Sequence, residues 1–236
     1  MARERLSVVV LSGAGISAES GINTFRDAGG LWEGYAVEEI ATPDAWNRNP
    51  ELVQKFYNQR RKAVLSSEPN SAHLALVELE RYFDLTIITQ NIDDLHERAG
   101  SSDVLHLHGQ IRMAQSSLDA SLIYPIEGSE IKMGQLCEHG SQLRPHVVWF
   151  GEAVPAMDRA IPIVERADIL IVIGTSLVVY PAAGLLEFVS TGVDIFLSDI
   201  KQPEYRFSSS VQFFEGPATV GVRAIVDKLT ARAQKV

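Results

Sequence analysis

The chain has 236 residues, of which 46% are hydrophobic and 22% are charged. This composition predicts a folded globular chain with one large domain, or a large and a small one, and excludes disordered, collagen-like and coiled-coil proteins. The net charge of −9 at pH 7 has the wrong sign for holding a phosphate backbone, so we expect no nucleic-acid partner. A single cysteine, Cys137, excludes an internal disulfide and a cysteine-rich metal site, and it favours a reducing compartment.

We expect neither a signal peptide nor a membrane span. The apolar run Ser7–Leu11 begins too early to leave room for a charged leader, an apolar core and a cleavage site. The longest uncharged stretch runs from Ile169 to Leu186, which is close to the length of a span. Pro181 and a polar turn after Ile173 interrupt it, so the first part reads as a short buried strand. The sequence therefore predicts a cytoplasmic protein without a membrane partner.

Six short apolar, β-branched runs recur along the chain, with helix-like segments between them. They are Ser7–Leu11, Leu85–Thr89, Val104–Leu107, Ile169–Ile173, Val193–Leu197 and Val211–Phe214. Continuous apolar runs are typical of a parallel sheet that is covered on both faces. Helical periodicity occurs at Ser71–Tyr82, Ala160–Ala167 and Thr219–Ala233. The alternation predicts an α/β fold with a Rossmann-like, doubly wound parallel sheet.

Two regions break this rhythm and predict a second, smaller domain formed by two insertions. Residues 36–67 contain a predicted turn at Thr42–Asp44 and a helix that begins at Pro50. Residues 111–145 are polar and rich in serine and glycine, and they are too many for a simple loop in a compact domain. The larger domain is then predicted to comprise residues 1–35, 68–110 and 146–236.

A glycine-rich loop follows the first predicted strand. Residues 13–18, Gly-Ala-Gly-Ile-Ser-Ala, match the pattern in which backbone amides at a helix N-terminus meet a pyrophosphate. The alternative is a tight turn with no ligand. No acidic residue stands clearly about twenty positions further on, where a dehydrogenase would bind the ribose, so an ordinary dehydrogenase fits poorly.

Further motifs follow this loop in a fixed order. They are Ser20–Ile22 with Phe25-Arg26, Thr89–Asp93 with Leu95-His96 and Ala99-Gly100, Leu107–Gly109, Pro145–Glu152 and Gly174–Ala182. With these blocks the chain resembles the sirtuin family of NAD-dependent protein lysine deacylases. The resemblance implies that NAD is consumed as a co-substrate, that the acyl group passes from lysine to ADP-ribose, and that acylated lysines of proteins or peptides are the partners.

The resemblance also implies roles for individual residues. The catalytic residues are expected to be His108, Asn91 and Asp93. The residues expected to bind NAD are Gly13, Ala14, Gly15, Ser17, Ile22, Phe25, Arg26, Trp32, Gln90, Asn91, Ile92, Asp93, Gly174, Thr175, Ser176, Ser198 and Ala218. His108 is expected on a strand face together with His106, as a general base that takes a proton from a ribose hydroxyl.

Each of these assignments has an ordinary structural alternative. Asn91 and Asp93 are also good helix caps. A histidine in a strand is more often a satisfied core residue, which is our expectation for His106.

The acyl-lysine substrate is expected to lie between two strand-like edges and to reach a pocket on the helix from Pro50. The edge residues are Val148, Phe150, Gly151, Glu152, Leu177 and Val178, and an exposed edge binds a peptide through its main chain. Glu152 is also expected to attract lysine-rich surfaces. The alternative is two ordinary sheet edges.

The acyl pocket is expected to consist of Ala41, Tyr57 and Arg60. These residues match the subgroup of bacterial and mitochondrial sirtuins that remove acidic acyl groups such as succinyl. The alternative is an aromatic packing residue beside a solvated arginine.

The chain departs from the family at two places. Family members usually carry two pairs of zinc-binding cysteines in the region that corresponds to 111–145, where this chain has only Cys137. We therefore expect no zinc, because a closed tetrahedral site needs four thiolate or imidazole ligands and Cys137 with His139 supplies at most two. Apolar packing is expected to replace the metal, with Leu122, Ile123, Tyr124, Ile126 and Leu136 as candidates. The second departure is Ser198-Asp199-Ile200, where the family tends to place an asparagine that meets the adenosine ribose.

Two other functions stay open at this point. One is NAD hydrolysis or ADP-ribosyl transfer by the same site. The other is a catalytically weak sensor of NAD or ADP-ribose, although a pure binder has no use for His108. The sequence makes no prediction of oligomeric state.

Overall fold

The computed structural model describes residues 5–24, 31–32, 34–207 and 210–235. Phe25 and Arg26, two of the residues expected to bind NAD, lie outside the described residues. Within the described ranges no helix is long and apolar enough to cross a membrane.

Strands and helices alternate along most of the chain. In chain order, the strands are β1 Ser7–Ser12, β2 Leu31–Trp32, β3 Tyr35–Ala36, β4 Asp84–Thr89, β5 Val104–His106, β6 Gly109–Ser116, β7 Ile123–Pro125, β8 Leu143–Val147, β9 Ile169–Ile173, β10 Asp194–Asp199 and β11 Val211–Glu215. The α-helices are α1 Val37–Ile40, α2 Pro43–Arg48, α3 Pro50–Ser66, α4 Ser71–Leu79, α5 Leu95–Ala99, α6 Met157–Glu165 and α7 Ala218–Ala233.

Six parallel strands form the main sheet in the order β11-β10-β9-β1-β4-β5. Each of the six apolar runs singled out in the sequence supplies one of these strands. Alternate residues of β1 serve opposite faces: Val8 and Val10 pack with α4 and α7, and Val9 and Leu11 pack with α6 and the 3-10 helix Ala182–Phe188. Both faces are covered, which is why the runs are continuously apolar. The predicted doubly wound α/β fold is confirmed.

The sheet has its topological switch at β1. The chain leaves β1 through β4 and β5 on one side and returns through β9, β10 and β11 on the other. Ligands of such open sheets bind at the carboxyl ends of the strands beside the switch. The segments after Ser12, Thr89 and Ile173 therefore meet at one place.

The smaller part of the molecule contains the antiparallel sheet β7-β6-β8. Its core consists of Ala114, Ile126, Ile131, Cys137 and Leu143, with Leu122 and Tyr124 packed against it. The expectation that Ile123 and Leu136 belong to this core is wrong, since they are 42% and 54% exposed. Ile123 lies on the edge strand β7, where successive side chains alternate between core and solvent.

The predicted turn at Thr42–Asp44 is also wrong, because these residues begin α2. The Thr42 hydroxyl accepts a hydrogen bond from the amide of Ala45 at 3.0 Å, and Pro43 is the first helical residue. A threonine cap followed by proline is a favourable helix start.

Helix α3 holds the small sheet by polar contacts as well as by packing. The Asn58 amide exchanges hydrogen bonds with the main chain of Ile131, at 2.9 and 3.0 Å. The fully buried guanidinium of Arg61 donates to the carbonyls of Ile111 and Ser129, at 2.7 and 3.2 Å. Burial lowers the pKa of Arg61 to about 10, with a smaller contribution from nearby Arg112, so Arg61 is still charged near neutral pH.

Candidate functional site

One cavity of about 380 Å³ opens at the carboxyl ends of the central strands, between the main sheet and the small part. Most of the residues expected from the sequence line it. They are Gly13, Ala14, Gly15, Ser17, Ile22, Trp32, Ala41, Tyr57, Arg60, Gln90, Asn91, Ile92, Asp93, His108, Val148, Phe150, Gly151, Glu152, Gly174, Thr175, Ser176, Ser198 and Ala218.

The glycine loop packs directly on the loop that follows β9. The amide of Gly15 donates to the carbonyl of Gly174 at 2.9 Å. A Cβ on Gly15 would lie 2.6 Å from the Cα of Gly174, and a Cβ on Gly13 would lie 2.7 Å from the Gly174 oxygen. Only glycine permits this approach of two main chains. The expected α-helix N-terminus is absent here, since the loop continues as the short 3-10 turns Ala14–Ile16 and Ala18–Ser20.

Asn91 and Asp93 are buried beneath this loop and tie it to β4. The Asn91 amide donates to the Gly13 carbonyl and to the Ser17 hydroxyl, both at 3.2 Å. Ser17 in turn donates to Asp93 Oδ2 at 3.1 Å. Asp93 Oδ1 accepts from the amide of Leu95 at 3.2 Å. Asp93 thus bonds to the first residue of α5 and lines the cavity. The N-cap of α5 is Asp94, whose side chain makes no capping hydrogen bond, so neither Asn91 nor Asp93 is the N-cap. Burial raises the pKa of Asp93 against these hydrogen bonds.

His108 lies in the two-residue link between β5 and β6, not on the strand face where the sequence placed it. Its Nδ1 is 2.9 Å from the main-chain oxygen of Gln90. A carbonyl oxygen only accepts, so Nδ1 carries the proton and Nε2 of the neutral ring keeps a lone pair. Burial lowers the pKa of His108 below its ordinary value of 6.5. The ring is therefore neutral near pH 7 and is able to accept a proton.

His106 is a satisfied core residue, as expected. Its Nδ1 is 2.8 Å from the main-chain oxygen of Asn91, and its Nε2 is 2.7 Å from Glu97 Oε1. The side chain is only 6% exposed.

The three expected acyl-pocket residues come together on the small-part side of the cavity. Ala41 and Tyr57 are buried, and Arg60 is only 6% exposed. The Arg60 guanidinium lies 4.7 Å above the Trp32 ring and donates to the oxygen of Asn23 at 3.1 Å. The alternative of a solvated arginine is therefore wrong.

The Tyr57 phenol is held as a neutral hydroxyl. Its oxygen accepts from Trp149 Nε1 at 3.1 Å. Burial raises its pKa far above the ordinary range, although the hydrogen bond from Trp149 and the charges of Arg60 and Arg144 act in the opposite direction. The phenol therefore keeps its hydrogen near neutral pH.

The two expected strand edges are loops. The chain leaves β8 at Val147 and β9 at Ile173, and left-handed backbone at Gly151 (φ 92°), Gly174 (φ 59°) and Leu177 (φ 56°) prevents extended strands. Leu177 and Val178 do not line the cavity, because Leu177 packs in the core and Val178 is 71% exposed.

Glu152 does not offer a carboxylate for lysine-rich surfaces in the way the sequence predicts. Its Oε1 pairs with Arg144 at 2.7 Å, and its Oε2 accepts from the amide of Trp149 at 2.8 Å. Arg144 also stacks on the Trp149 ring at 3.9 Å. Glu152 therefore shapes the 149–152 loop.

At the end of β10 the residues that depart from the family lie in different settings. Ser198 lines the cavity, yet its hydroxyl lies against α7, where any Cβ at Gly221 would collide with it. Asp199 and Ile200 also line the cavity.

The sequence reasoning missed several lining residues. They are Ala18, Glu19, Thr24, Val64, Val147, Trp149, Val154, Pro181, Ile200, Gly216 and Pro217. Three of them, Ile200 and Gly216–Pro217, stand where β10 and β11 end, so the rule on strand ends could have found them.

The polar side chains around Cys137 in the small part do not fit zinc. The Ser116 and Ser141 hydroxyls are 2.7 Å apart, and Cys137 Sγ is 3.1 Å from Ser141 Oγ. One thiol and two hydroxyls do not make a closed zinc site. No group of three His, Cys, Asp or Glu side chains suited to a metal occurs in the described part of the chain.

A model of the Sir2 family matches residues 13–181. The chain belongs to the Sir2 family. Among its Sir2 relatives is an NAD-dependent protein deacylase of Bacteroides thetaiotaomicron, 51% identical over 93% of this chain and 96% of the relative. An NAD-dependent protein deacylase of Helicobacter pylori is 49% identical over 96% of this chain and 99% of that protein.

Solved Sir2 structures have the same fold. A Sir2 homologue in complex with NAD has a TM-score of 0.83 and 42% identity, and the match covers 98% of this chain and 91% of that one. A Sir2 bound to an acetylated peptide has a TM-score of 0.79 and 30% identity, with 97% and 94% of the two chains covered.

Proposed function

We propose that the protein is an NAD-dependent protein lysine deacylase that passes the acyl group from lysine to ADP-ribose and releases nicotinamide. The observation that carries the proposal is His108. It lines the cavity with its proton fixed on Nδ1 by the Gln90 oxygen, so Nε2 is prepared to accept a proton from a ribose hydroxyl. The names of the relatives and the NAD complex of a homologue support the same activity.

The residues of the cavity suit NAD. The close packing of Gly13 and Gly15 on Gly174 leaves main chain, and no side chain, along the loop where a pyrophosphate would lie. Ser17, Asn91 and Asp93 would surround the nicotinamide end, and their mutual hydrogen bonds would fix their orientation. Bound NAD supplies the anomeric carbon and the leaving nicotinamide. The division into an NAD-binding domain and a smaller domain formed by residues 36–67 and 111–145 is part of this proposal.

The preferred acyl group is proposed to be acidic, such as succinyl. Arg60 is buried in the cavity, and Tyr57 adds a neutral hydroxyl donor one helical turn earlier. Ala41 leaves room beside them. A guanidinium and a phenol are good hydrogen-bond donors to a carboxylate, and an acetyl group has no terminal carboxylate to accept from them.

The test incubates the protein with NAD and with matched acetyl-lysine or succinyl-lysine peptides, and follows both the peptide mass and free nicotinamide. We expect equal amounts of deacylated peptide and nicotinamide, with the higher kcat/KM on the succinyl peptide. Nicotinamide without deacylation would instead indicate NAD hydrolysis or ADP-ribosyl transfer. Absence of both products would indicate a sensor. Either result would overturn the proposal.

A further inference from the structure

We propose that His106 and Glu97 form an ion pair that positions Asn91 for the reaction. His106 is then a positioning residue, although it does not line the cavity. This inference rests on the proposed deacylase function. It concerns a buried histidine for which the reaction steps above have no use.

The two hydrogen bonds of His106 require a protonated, charged imidazole ring. Both partners of His106 only accept: the Asn91 main-chain oxygen at Nδ1 and the Glu97 carboxylate at Nε2, at 2.8 and 2.7 Å. A neutral imidazole has one N–H and could satisfy only one of them. The geometry with both contacts short therefore corresponds to the imidazolium.

The electrostatic surroundings agree with this protonation state. Burial lowers the pKa of His106, but the hydrogen bond and charge of Glu97, the Asn91 oxygen and the charge of Asp93 outweigh it and raise the pKa overall. Burial raises the pKa of Glu97, but its bond to His106 lowers it overall. The neighbouring histidines His96 and His146 have lowered pKa values, chiefly through burial, and stay neutral beside the imidazolium.

Asn91 is the residue through which the ion pair would act. Its amide nitrogen donates to Thr89 Oγ1 at 3.0 Å, and its side chain reaches Gly13 and Ser17. The bond from His106 to its carbonyl fixes the remaining main-chain polar group of the residue. Rotation of this peptide would displace the side chain that contacts the glycine loop.

His106 and His108 each donate a hydrogen bond to a main-chain carbonyl, but their protonation states differ. Two residues apart in the chain, they donate to the consecutive carbonyls of Asn91 and Gln90. Of the two, only His106 has a carboxylate behind it, and only His108 lines the cavity. The first is thus kept charged and fixed, and the second neutral and reactive.

A pH dependence follows from the raised pKa. When the pH rises above the pKa of His106, the ring loses one of its two N–H protons. A lone pair then faces either the Asn91 oxygen or Glu97. We expect kcat to fall on this alkaline side while the KM for NAD changes less. The same loss should appear in the exchange of labelled nicotinamide into NAD, which tests the step before His108 acts.

The experiment uses a matched pair of variants. His106→Asn keeps a donor near the Nδ1 position and hence the contact with Asn91, whereas His106→Gln keeps a donor near Nε2 and hence the contact with Glu97. We expect His106→Asn to retain most of the nicotinamide exchange and to show no decrease of activity at alkaline pH. We expect His106→Gln to lose about tenfold in kcat. An equal loss of kcat in the two variants would overturn the proposal.

A second measurement does not depend on activity. Long-range ¹H–¹⁵N NMR of the wild-type imidazoles, assigned with His106→Asn, should show both His106 nitrogens protonated at pH 7. The pKa should fall in Glu97→Gln and stay unchanged in Glu165→Gln, an exposed control. A neutral His106 at pH 7 would overturn the inference. Absence of nicotinamide release by the wild-type protein would instead overturn the proposed function.

Discussion

One main-chain oxygen fixes the proton of His108 on Nδ1, which leaves Nε2 as the proton acceptor that the proposed function requires. We expect His108→Ala to lower kcat for deacylation by about 10²- to 10⁴-fold, the usual contribution of a general base. Nicotinamide exchange, which precedes the proton transfer, should persist. A variant that loses both activities equally would argue against the assigned role.

The lowered pKa of His108 also fixes the acid side of the pH profile. The unprotonated ring is the active form, and burial favours it. The acidic limb of kcat/KM should therefore have its midpoint below 6.5, so activity persists to lower pH than a solvent-exposed histidine would allow. A midpoint above 6.5 would contradict this environment.

Arg60 provides a direct test of acyl preference. Arg60→Met keeps much of the side-chain volume and removes the charge. We expect succinyl-lysine kcat/KM to fall about 10- to 100-fold, because a hydrogen bond to a charged group contributes about 1.5–3 kcal/mol. Activity on acetyl-lysine should change little. Normal desuccinylation by Arg60→Met would make the acidic-acyl assignment wrong.

The sequence placed most single residues well because the motifs fix their order along strand ends. It misplaced Leu177 and Val178, because a left-handed residue cannot be recognised when it is not glycine. Leu177 turns into the core at φ 56°, which leaves its neighbour Val178 in solvent. The sequence also does not show which charged residues pair with each other. Glu152 forms a salt bridge with Arg144.

At the scale of elements, helix α3 holds the small sheet with Asn58. Asn58→Leu would leave the main-chain N–H and C=O of Ile131 unpaired. We expect a loss of about 1–3 kcal/mol in the free energy of unfolding, measured by denaturant titration. Asn47→Leu, at an exposed position on α2, is the matched control. Equal stability of both variants would show that this contact is unimportant.

The contact between the glycine loop and the loop after β9 has no room for a methyl group. Gly15→Ala places Cβ against the main chain of Gly174, so the loops must separate. We expect at least tenfold weaker NAD binding by calorimetry. In Gly184→Ala the nearest contact is the Tyr180 ring at 3.6 Å, and NAD binding should be unchanged. Wild-type affinity in Gly15→Ala would contradict the packing.

The six strands of the main sheet could be predicted because burial on both faces leaves a continuous apolar signal in the sequence. The resemblance implied strand edges at 150–152 and 175–180, where the chain forms loops instead. Thr42 and Pro43 were ambiguous for another reason, since the same residues start turns and helices.

For the whole molecule, we expect a small part that folds without zinc, and its described residues make contacts that need no metal. The small part is held together by a core of five buried residues and by the contacts among Ser116, Ser141 and Cys137. Hydrogen bonds from α3 also hold it. We expect no stoichiometric zinc in the purified protein and no change in Tm on chelator treatment. One retained zinc with a lower Tm after chelation would contradict this.

The proposed acyl pocket and the proposed NAD site consist of residues from different parts of the chain. Tyr57 and Arg60 belong to α3, whereas Gly13, Asn91 and Gly174 follow strands of the main sheet. Mutation of one helix can thus alter which modified lysine is accepted while the use of NAD is preserved. Exchange of the 36–67 segment between relatives, in evolution or by design, should therefore change the range of substrates and leave the reaction itself intact.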